Sequence, residues 1–307
     1  MRLIRGLSGL RPPPGPCVLT VGAYDGLHRG HQALIAHLLE LARASALPAW
    51  LVSFEPLPRE FLQPTDPPPR LTSFRERWRL LAPSGLDTLC LLRFNEALRN
   101  LPAAAFAELL AGQLRAQAVL VGHDFRFGRR GEGDVEALAD AGRRLGFKVQ
   151  VLPPVTLGGE RVSSSAIRAA LAAGEFLPAA RALGRPWSMR GRVVAGERLG
   201  RTLGFPTANL RIERRRSPVH GIFAARVHGI AAEALPAVTS LGTRPTVGGR
   251  EALLEAHVFD FEGELYGREL EVEFVAKLRD EVQFDSLEAL TAQMHRDAHA
   301  ARHVLGI

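Results

Sequence analysis

The 307-residue sequence predicts an α/β domain built on a helix-covered parallel sheet, followed by an antiparallel β domain that ends in a helix. Three observations carry this. Up to about residue 184 strand-like apolar runs alternate with helix-periodic segments, as βα units do. From Arg190 onward short β-rich runs separated by Gly and Pro take over, a pattern of barrels and sandwiches. After Ser286 the spacing turns helical again, as far as about His303. The change of character places the boundary around Leu183 to Pro186, giving domains 1–184 and 185–307, and the length itself fits two domains.

Cys17-Val18-Leu19-Thr20-Val21, bounded by Pro16 and Gly22, reads as a buried strand at 17–22. A helix near 31–45 follows, then a strand at 49–54. Glu55-Pro56-Leu57-Pro58 breaks the pattern, and the Pro-rich stretch 64–69 excludes regular structure. Helices are expected near 73–82, 103–114 and 134–145, with strands at 88–92, 118–122 and 148–152 between and after them. The strands are nearly continuous apolar runs, which indicates a parallel sheet buried on both faces. Ligands of such sheets bind beyond the C-terminal strand ends, where Gly22 and Gly122 stand. In the second domain strands are expected at 191–195, 222–229, 235–242, 252–260 and 270–276, and Ser286 is placed to cap the last helix. No internal repeat is evident.

With 46% apolar residues and mean hydropathy near zero, the composition is that of a soluble globular protein. No apolar run reaches the ~18 residues of a membrane span, and Arg2 and Arg5 are not followed by the apolar core of a signal peptide. Cys17 and Cys90 lie in apolar runs and read as buried thiols of a reducing compartment, so a cytoplasmic protein without a membrane association is expected. The net charge of +7 raises nucleic-acid binding. Against it, the arginines are scattered except for Arg214-Arg215-Arg216, and aromatics are only 7%, too few for a stacking groove. Lys148 and Lys277 are the sole lysines, so the basicity is an Arg bias shared with an Ala-, Leu-, Gly- and Pro-rich composition. No nucleic-acid partner is expected, and the chain is expected to be a monomer or weak homo-oligomer.

The stretch Gly22-Ala23-Tyr24-Asp25-Gly26-Leu27-His28-Arg29-Gly30-His31 says most about chemistry. Its glycines let backbone turn tightly and approach a ligand, and two imidazoles stand where a helix begins. Helix-start N–H groups and the positive dipole end favour a phosphate. Asp25, His28 and His31 also have metal-ligand chemistry, but no further Cys or His nearby closes such a site, and the glycines suit phosphate. Val121-Gly122-His123-Asp124-Phe125-Arg126-Phe127-Gly128 reads either as an Asx turn before core aromatics or as a polar site at a strand end. In Val162-Ser163-Ser164-Ser165-Ala166-Ile167-Arg168, hydroxyls precede a helix with an arginine one turn inside, an arrangement that binds an anion.

These three stretches, in this order, resemble the adenylyltransferase half of the bifunctional prokaryotic riboflavin kinase/FAD synthetases, a nucleotidylyltransferase carrying a His-x-Gly-His signature on a Rossmann-like parallel sheet. The resemblance runs from about residue 17 to 184. It implies that His28 and His31 bind ATP phosphates and stabilise charge at the α-phosphorus, with Gly22, Asp25 and Gly30 shaping the phosphate site. It also implies that Asp124 lies near the nucleotide, and that Ser164, Ser165 and Arg168 hold the pyrophosphate side. The nucleophile would be an FMN phosphate oxygen, already anionic, so positioning and charge neutralisation suffice, assisted by Mg²⁺. Tyr24 replaces the family's usual Phe, Ser165 its usual Thr, and Leu57 a common His.

In the second domain, Gly196-Glu197-Arg198-Leu199-Gly200-Arg201-Thr202-Leu203-Gly204-Phe205-Pro206-Thr207-Ala208-Asn209-Leu210 is a glycine-rich loop able to wrap phosphates, with Gly200 and Gly204 inside it. Thr207 and Asn209, two apart on an extended strand, point the same way and offer two oxygens suited to Mg²⁺ and phosphate. The string resembles the Pro-Thr-Ala-Asn signature of riboflavin kinases. His220-Gly221-Ile222-Phe223 and 241–246 extend the match across 190–297. The resemblance implies an antiparallel β-barrel with a terminal helix, and places the catalytic base at Glu255. It also implies that Arg279, Glu281 and Phe284 belong to a segment closing over the flavin.

The expected function is therefore synthesis of FAD in two steps: riboflavin is phosphorylated by ATP to FMN, and FMN is adenylylated by ATP to FAD and pyrophosphate. The partners are riboflavin, FMN, FAD and ATP, with Mg²⁺ as the metal. A nucleotidylyltransferase for another small substrate, such as phosphopantetheine, shares the first signature but leaves the second phosphate loop without a role.

Overall fold

The computed structural model of the chain describes residues 1–7, 15–196, 199–214, 216–246 and 249–307. Glu197, Arg198 and Arg215, named in the stretches above, lie outside the described residues. By compactness the chain forms two units: Met1–Pro68 with Phe74–Val162, and Pro69–Ser73 with Ser163–Ile307.

The first unit contains β1 (Arg2–Arg5), β2 (Cys17–Val21), α1 (Arg29–Ser45), β3 (Ala49–Glu55), α2 (Pro58–Leu62), α3 (Phe74–Leu81) and β4 (Thr88–Arg93). It continues with α4 (Glu96–Arg99), α5 (Ala103–Glu108), β5 (Ala116–Gly122), α6 (Val135–Leu145), β6 (Lys148–Leu152) and the small hairpin β7 (Thr156–Leu157), β8 (Glu160–Arg161). Six strands pair in the order β1-β4-β3-β2-β5-β6, every pair parallel. Strand alternation sends Leu19, Val21, Val52, Cys90 and Val119 into one apolar cluster. Val18, Leu51, Leu89 and Leu120 join the α1 residues Leu34, Ile35 and Leu38 in a second one. Cys17 and Cys90 are fully buried in this sheet, and burial pushes both thiols up to about 12.

Two differences from the sequence pattern are physical. Strand β1 was not expected, because four residues with two apolar positions give no period to read. The helix expected over 103–114 keeps α-geometry only to Glu108 and then widens into a π turn over Leu109–Gln113.

The second unit contains α7 (Ser164–Ala172), α8 (Phe176–Leu183), β9 (Ser188–Val194), α9 (Leu199–Thr202), β10 (Ala208–Ile212), β11 (Gly221–His228), β12 (Leu235–Thr246), β13 (Gly249–Val258), β14 (Glu269–Arg279) and α10 (Leu287–Leu305). Its six strands close into a barrel, β10-β13-β12-β11-β14-β9, with every pair antiparallel. The pattern thus resolves as a barrel rather than a sandwich. Inward residues such as Leu210, Phe223, Leu241, Leu254, Val272 and Phe274 form its core. Helices α7 and α8 add Ile167, Leu171, Phe176 and Leu183 to that same cluster, with the Phe176 ring against Phe223 and Phe274. Compactness therefore groups 163–184 with the barrel, whereas composition changes only at 184. The Ser286 cap is present: its hydroxyl accepts from the Ala289 N–H at 3.1 Å.

Candidate functional site

Strands β2 and β5 are neighbours, although the chain runs from β2 outward to β3 and β4 before returning to β5. Their C-terminal ends form the switch point at which open α/β sheets bind ligands. The loop from Gly22 to His28 leaves one of these ends and Asp124 follows the other.

That loop is held in an unusual path. Tyr24 and Leu27 both take left-handed backbone angles, with φ of 53° and 44°. The Tyr24 ring is buried, and its hydroxyl shares a 2.5 Å hydrogen bond with Thr20, which satisfies the polar atom that the usual Phe lacks. A Cβ on Gly22 would sit 3.0 Å from the Tyr24 ring, and one on Gly30 3.1 Å from the His28 ring. Arg77 of α3, 1% exposed, donates to the Ala23 carbonyl at 2.7 Å and to the Glu55 carboxylate at 2.9 Å. Sequence reasoning missed Arg77, because a cation in an amphipathic helix reads as solvated. Leu57 is buried and begins α2, so the position of the common His is a packing position here.

His28 caps α1: its Nδ1 accepts the His31 backbone N–H at 3.3 Å. The proton of a neutral His28 is therefore on Nε2. The two rings stack at 3.7 Å and 18°. His31 is held well below the ordinary histidine range, first by burial, then by the neighbouring His28 and Arg77. Asp25 is 3% exposed and lies inside the loop. Asp124 is paired with Arg161 of β8 at 2.5 Å. Burial pushes its carboxyl up, but the Arg161 hydrogen bond and charge outweigh this and leave it below the usual range. Arg161 was not anticipated from sequence, since the hairpin that carries it has only two residues per strand.

In the second unit Ser163 is the N-cap of α7, accepting from Ala166 N at 3.1 Å, while Ser164 and Ser165 occupy the first turn. Arg168 donates through Nε to the Pro69 carbonyl at 2.6 Å.

The barrel carries a cavity of about 300 Å³ lined by Gly200, Thr207, Asn209, Glu255, Arg279, Glu281 and Phe284. Seven residues separated by up to 84 positions in sequence thus meet in one place, and Gly204 belongs to the same loop, with φ of 82°. The loop expected over 196–209 contains one helical turn, α9, and closes tightly: the Gly200 carbonyl accepts from Leu203 N at 3.1 Å and Phe205 N at 2.7 Å. A Cβ on Gly196 would lie 2.4 Å from the Asn209 amide, so only glycine lets this backbone pass the side chain. Asn209 and Glu255 are directly opposite on β10 and β13. His257, two residues from Glu255 on the same strand face, donates through Nδ1 to the Pro206 carbonyl at 2.9 Å and fixes the turn before Thr207.

Helix α10 covers the cavity with Leu290, Met294 and Asp297, at i, i+4 and i+7. Asp297 grips Arg279 at 2.9 Å and 2.6 Å. Glu281 lies against β12, where a Cβ on Gly242 would come within 2.2 Å of its carboxylate. Beside this cavity a second one, of about 530 Å³, is lined by Val193, Val258, Phe261, Leu265 and Tyr266, and Thr207 borders both.

Both sites have glycine turns and polar groups of the kind that suit phosphate ligands, as in nucleotide-dependent transferases. The FAD synthetase family model matches residues 11–166 and the riboflavin kinase model residues 183–305. A relative from Escherichia coli strain K12, called bifunctional riboflavin kinase/FMN adenylyltransferase, is 44% identical over 100% of this chain and 99% of its own. One of the same name from Pseudomonas fluorescens is 46% identical over 98% and 97%. A crystal structure of a Streptococcus pneumoniae protein called macrolide-efflux protein is also similar, with a TM-score of 0.80 and 30% identity over 98% of this chain and 99% of that one. No helix among the described residues is long and apolar enough to cross a membrane. The chain belongs to the bifunctional riboflavin kinase/FMN adenylyltransferase family.

Proposed function

We propose that the two activities of this family divide between residues 1–184 and residues 185–307, with the residues of each acting as follows. The chain is a riboflavin kinase and an FMN adenylyltransferase: ATP phosphorylates riboflavin to FMN, and ATP then adenylylates FMN to FAD with release of pyrophosphate. One observation carries the assignment, the barrel cavity that gathers Gly200, Thr207, Asn209, Glu255, Arg279, Glu281 and Phe284.

In the kinase reaction the Glu255 carboxylate accepts the proton of the ribityl 5′-hydroxyl as that oxygen attacks the γ-phosphorus. ADP is the leaving group. Thr207 borders both cavities, so the phosphate chain runs past it, with the adenine in the second cavity and the flavin under α10. Thr207 and Asn209 supply an uncharged hydroxyl and amide oxygen. The described residues contain no group of three or more His, Cys, Asp or Glu able to hold a metal. This donor set fits Mg²⁺, which keeps water and phosphate ligands and needs few protein ones. When bound, Mg²⁺ neutralises phosphate charge.

In the adenylyltransferase reaction an FMN phosphate oxygen attacks the α-phosphorus of ATP and the pyrophosphate bond breaks. His28 Nε2–H and the α1 N-terminus donate to phosphate oxygens on the Gly22–Gly30 loop, and Arg77 holds that loop through the Ala23 carbonyl. Asp124 contributes at the nucleotide, and Ser164, Ser165 and Arg168 contribute hydroxyl and guanidinium groups to the pyrophosphate, on the family pattern. We assign the functional domains to 1–184 and 185–307 and place the protein, as a monomer or weak homo-oligomer, in the cytoplasm.

The test is to incubate the protein with riboflavin and MgATP and follow flavins by chromatography. FMN should appear first and FAD second; absence of both overturns the reading. A product only from phosphopantetheine would favour the other nucleotidylyltransferase.

A further inference from the structure

The barrel cavity is floored by one transverse row of side chains. Register places Asn209 opposite Glu255, Glu255 opposite Ser240, Ser240 opposite Ile222 and Ile222 opposite Arg279. These five residues come from five consecutive strands, β10-β13-β12-β11-β14, and all five line the cavity. Directly paired residues project to one sheet face. It is the outer face, because the alternate residues Leu210, Ala256, Leu254, Leu241 and Phe223 are all 0–1% exposed in the barrel core.

The row has a chemical order: amide, carboxylate, hydroxyl, aliphatic, guanidinium. Adjacent strands stand about 4.8 Å apart, so Ser240 lies about 5 Å from Glu255, and Arg279 is three strands further around the barrel from Glu255. A substrate whose primary hydroxyl meets Glu255 and whose ring lies under α10 must lay its polyol chain across β12. There Ser240 is half-buried, with apolar Ile222 beside it on β11 and apolar Val238 two residues away on the same face. It is the one neutral hydrogen-bonding side chain of the row between Glu255 and Arg279.

The geometry points to Ser240 as the residue that reads a secondary hydroxyl of the ribityl chain and so sets the reach of the primary hydroxyl to Glu255. This rests on Glu255 being the base. A single neutral hydrogen bond is lost when either partner is removed, which corresponds to a roughly three- to tenfold fall in kcat/KM.

The test pairs Ser240→Ala and Ser240→Thr with riboflavin and with three analogues, each lacking one secondary ribityl hydroxyl. The native protein should lose roughly three- to tenfold in kcat/KM with one particular analogue. Ser240→Ala should lose the same on riboflavin and nothing further on that analogue, and Ser240→Thr should restore the discrimination. A thermal melting transition unchanged from the native protein reports that the barrel of each variant is folded. If Ser240→Ala ranks the three analogues as the native protein does, or loses nothing on riboflavin, the assignment is overturned. Glu255→Gln separates the premise: if it still makes FMN at the native rate, the base is misassigned whatever the analogue series gives.

Discussion

His31 of the His-x-Gly-His site is held well below the ordinary histidine range. Burial, then His28 and Arg77, all disfavour its protonated form. Its folded-state pKa lies below the unfolded value of 6.5, so below that pH the unfolded chain takes up the proton first. Stability from this residue is complete above pH 6.5 and is lost as pH falls toward the folded-state pKa. Denaturant titrations should show the native protein losing stability below pH 6.5 more steeply than His31→Gln; equal slopes would refute this. The two centres are separable by single side chains. Asn209→Ala should abolish FMN formation while supplied FMN is still converted to FAD, and His31→Ala should let FMN accumulate with FAD formation down by at least about a hundredfold. Chromatography of flavin products checks both, and loss of both activities in either folded variant would contradict separate sites.

Helix α10 shows how an element far from the phosphates governs a substrate. Ser286 caps it, and its Leu290, Met294 and Asp297 face the flavin cavity. Ser286→Ala should cost about 1 kcal/mol of stability and raise the KM for riboflavin, leaving adenylylation of FMN unchanged; thermal melting and kinetics measure the two effects. The pattern of α10 was legible in sequence because a cap precedes an apolar period. The phosphate loop of β2 and α1 was legible for a similar reason, with glycines and histidines all within ten residues. Strand β10 was not singled out as a strand, although Thr207 and Asn209 were read as lying on extended chain. Its Ala-Asn-Leu-Arg-Ile run is short and follows Pro206, so it reads as the tail of a loop. Ser240 and Arg77 were illegible for a different reason. Their significance depends on register and on burial of a cation, which only the paired strands and packed helix reveal.

At the scale of the whole molecule, the two compact units do not follow one another in the chain. Residues 69–73 belong with the barrel unit. There the Leu71 side chain is fully buried, and its carbonyl accepts from Trp187 Nε1 at 3.2 Å and from Arg214 Nη2 at 2.8 Å. A fragment 185–307 loses that acceptor, the Leu71 side chain and the apolar faces of α7 and α8. Removing a buried leucine side chain alone costs roughly 2–5 kcal/mol, so the fragment should melt well below the same unit in the full chain. Differential scanning calorimetry checks this, and an unchanged barrel transition would refute it. The consequence reaches beyond stability. Five residues of the first half are woven into the second, so no single crossover in the gene can exchange one catalytic module intact. A recombinant joined at 184/185 inherits a barrel from one parent and the strand of chain that plugs its core from the other, and the two must match at Leu71, Trp187 and Arg214 to fold together.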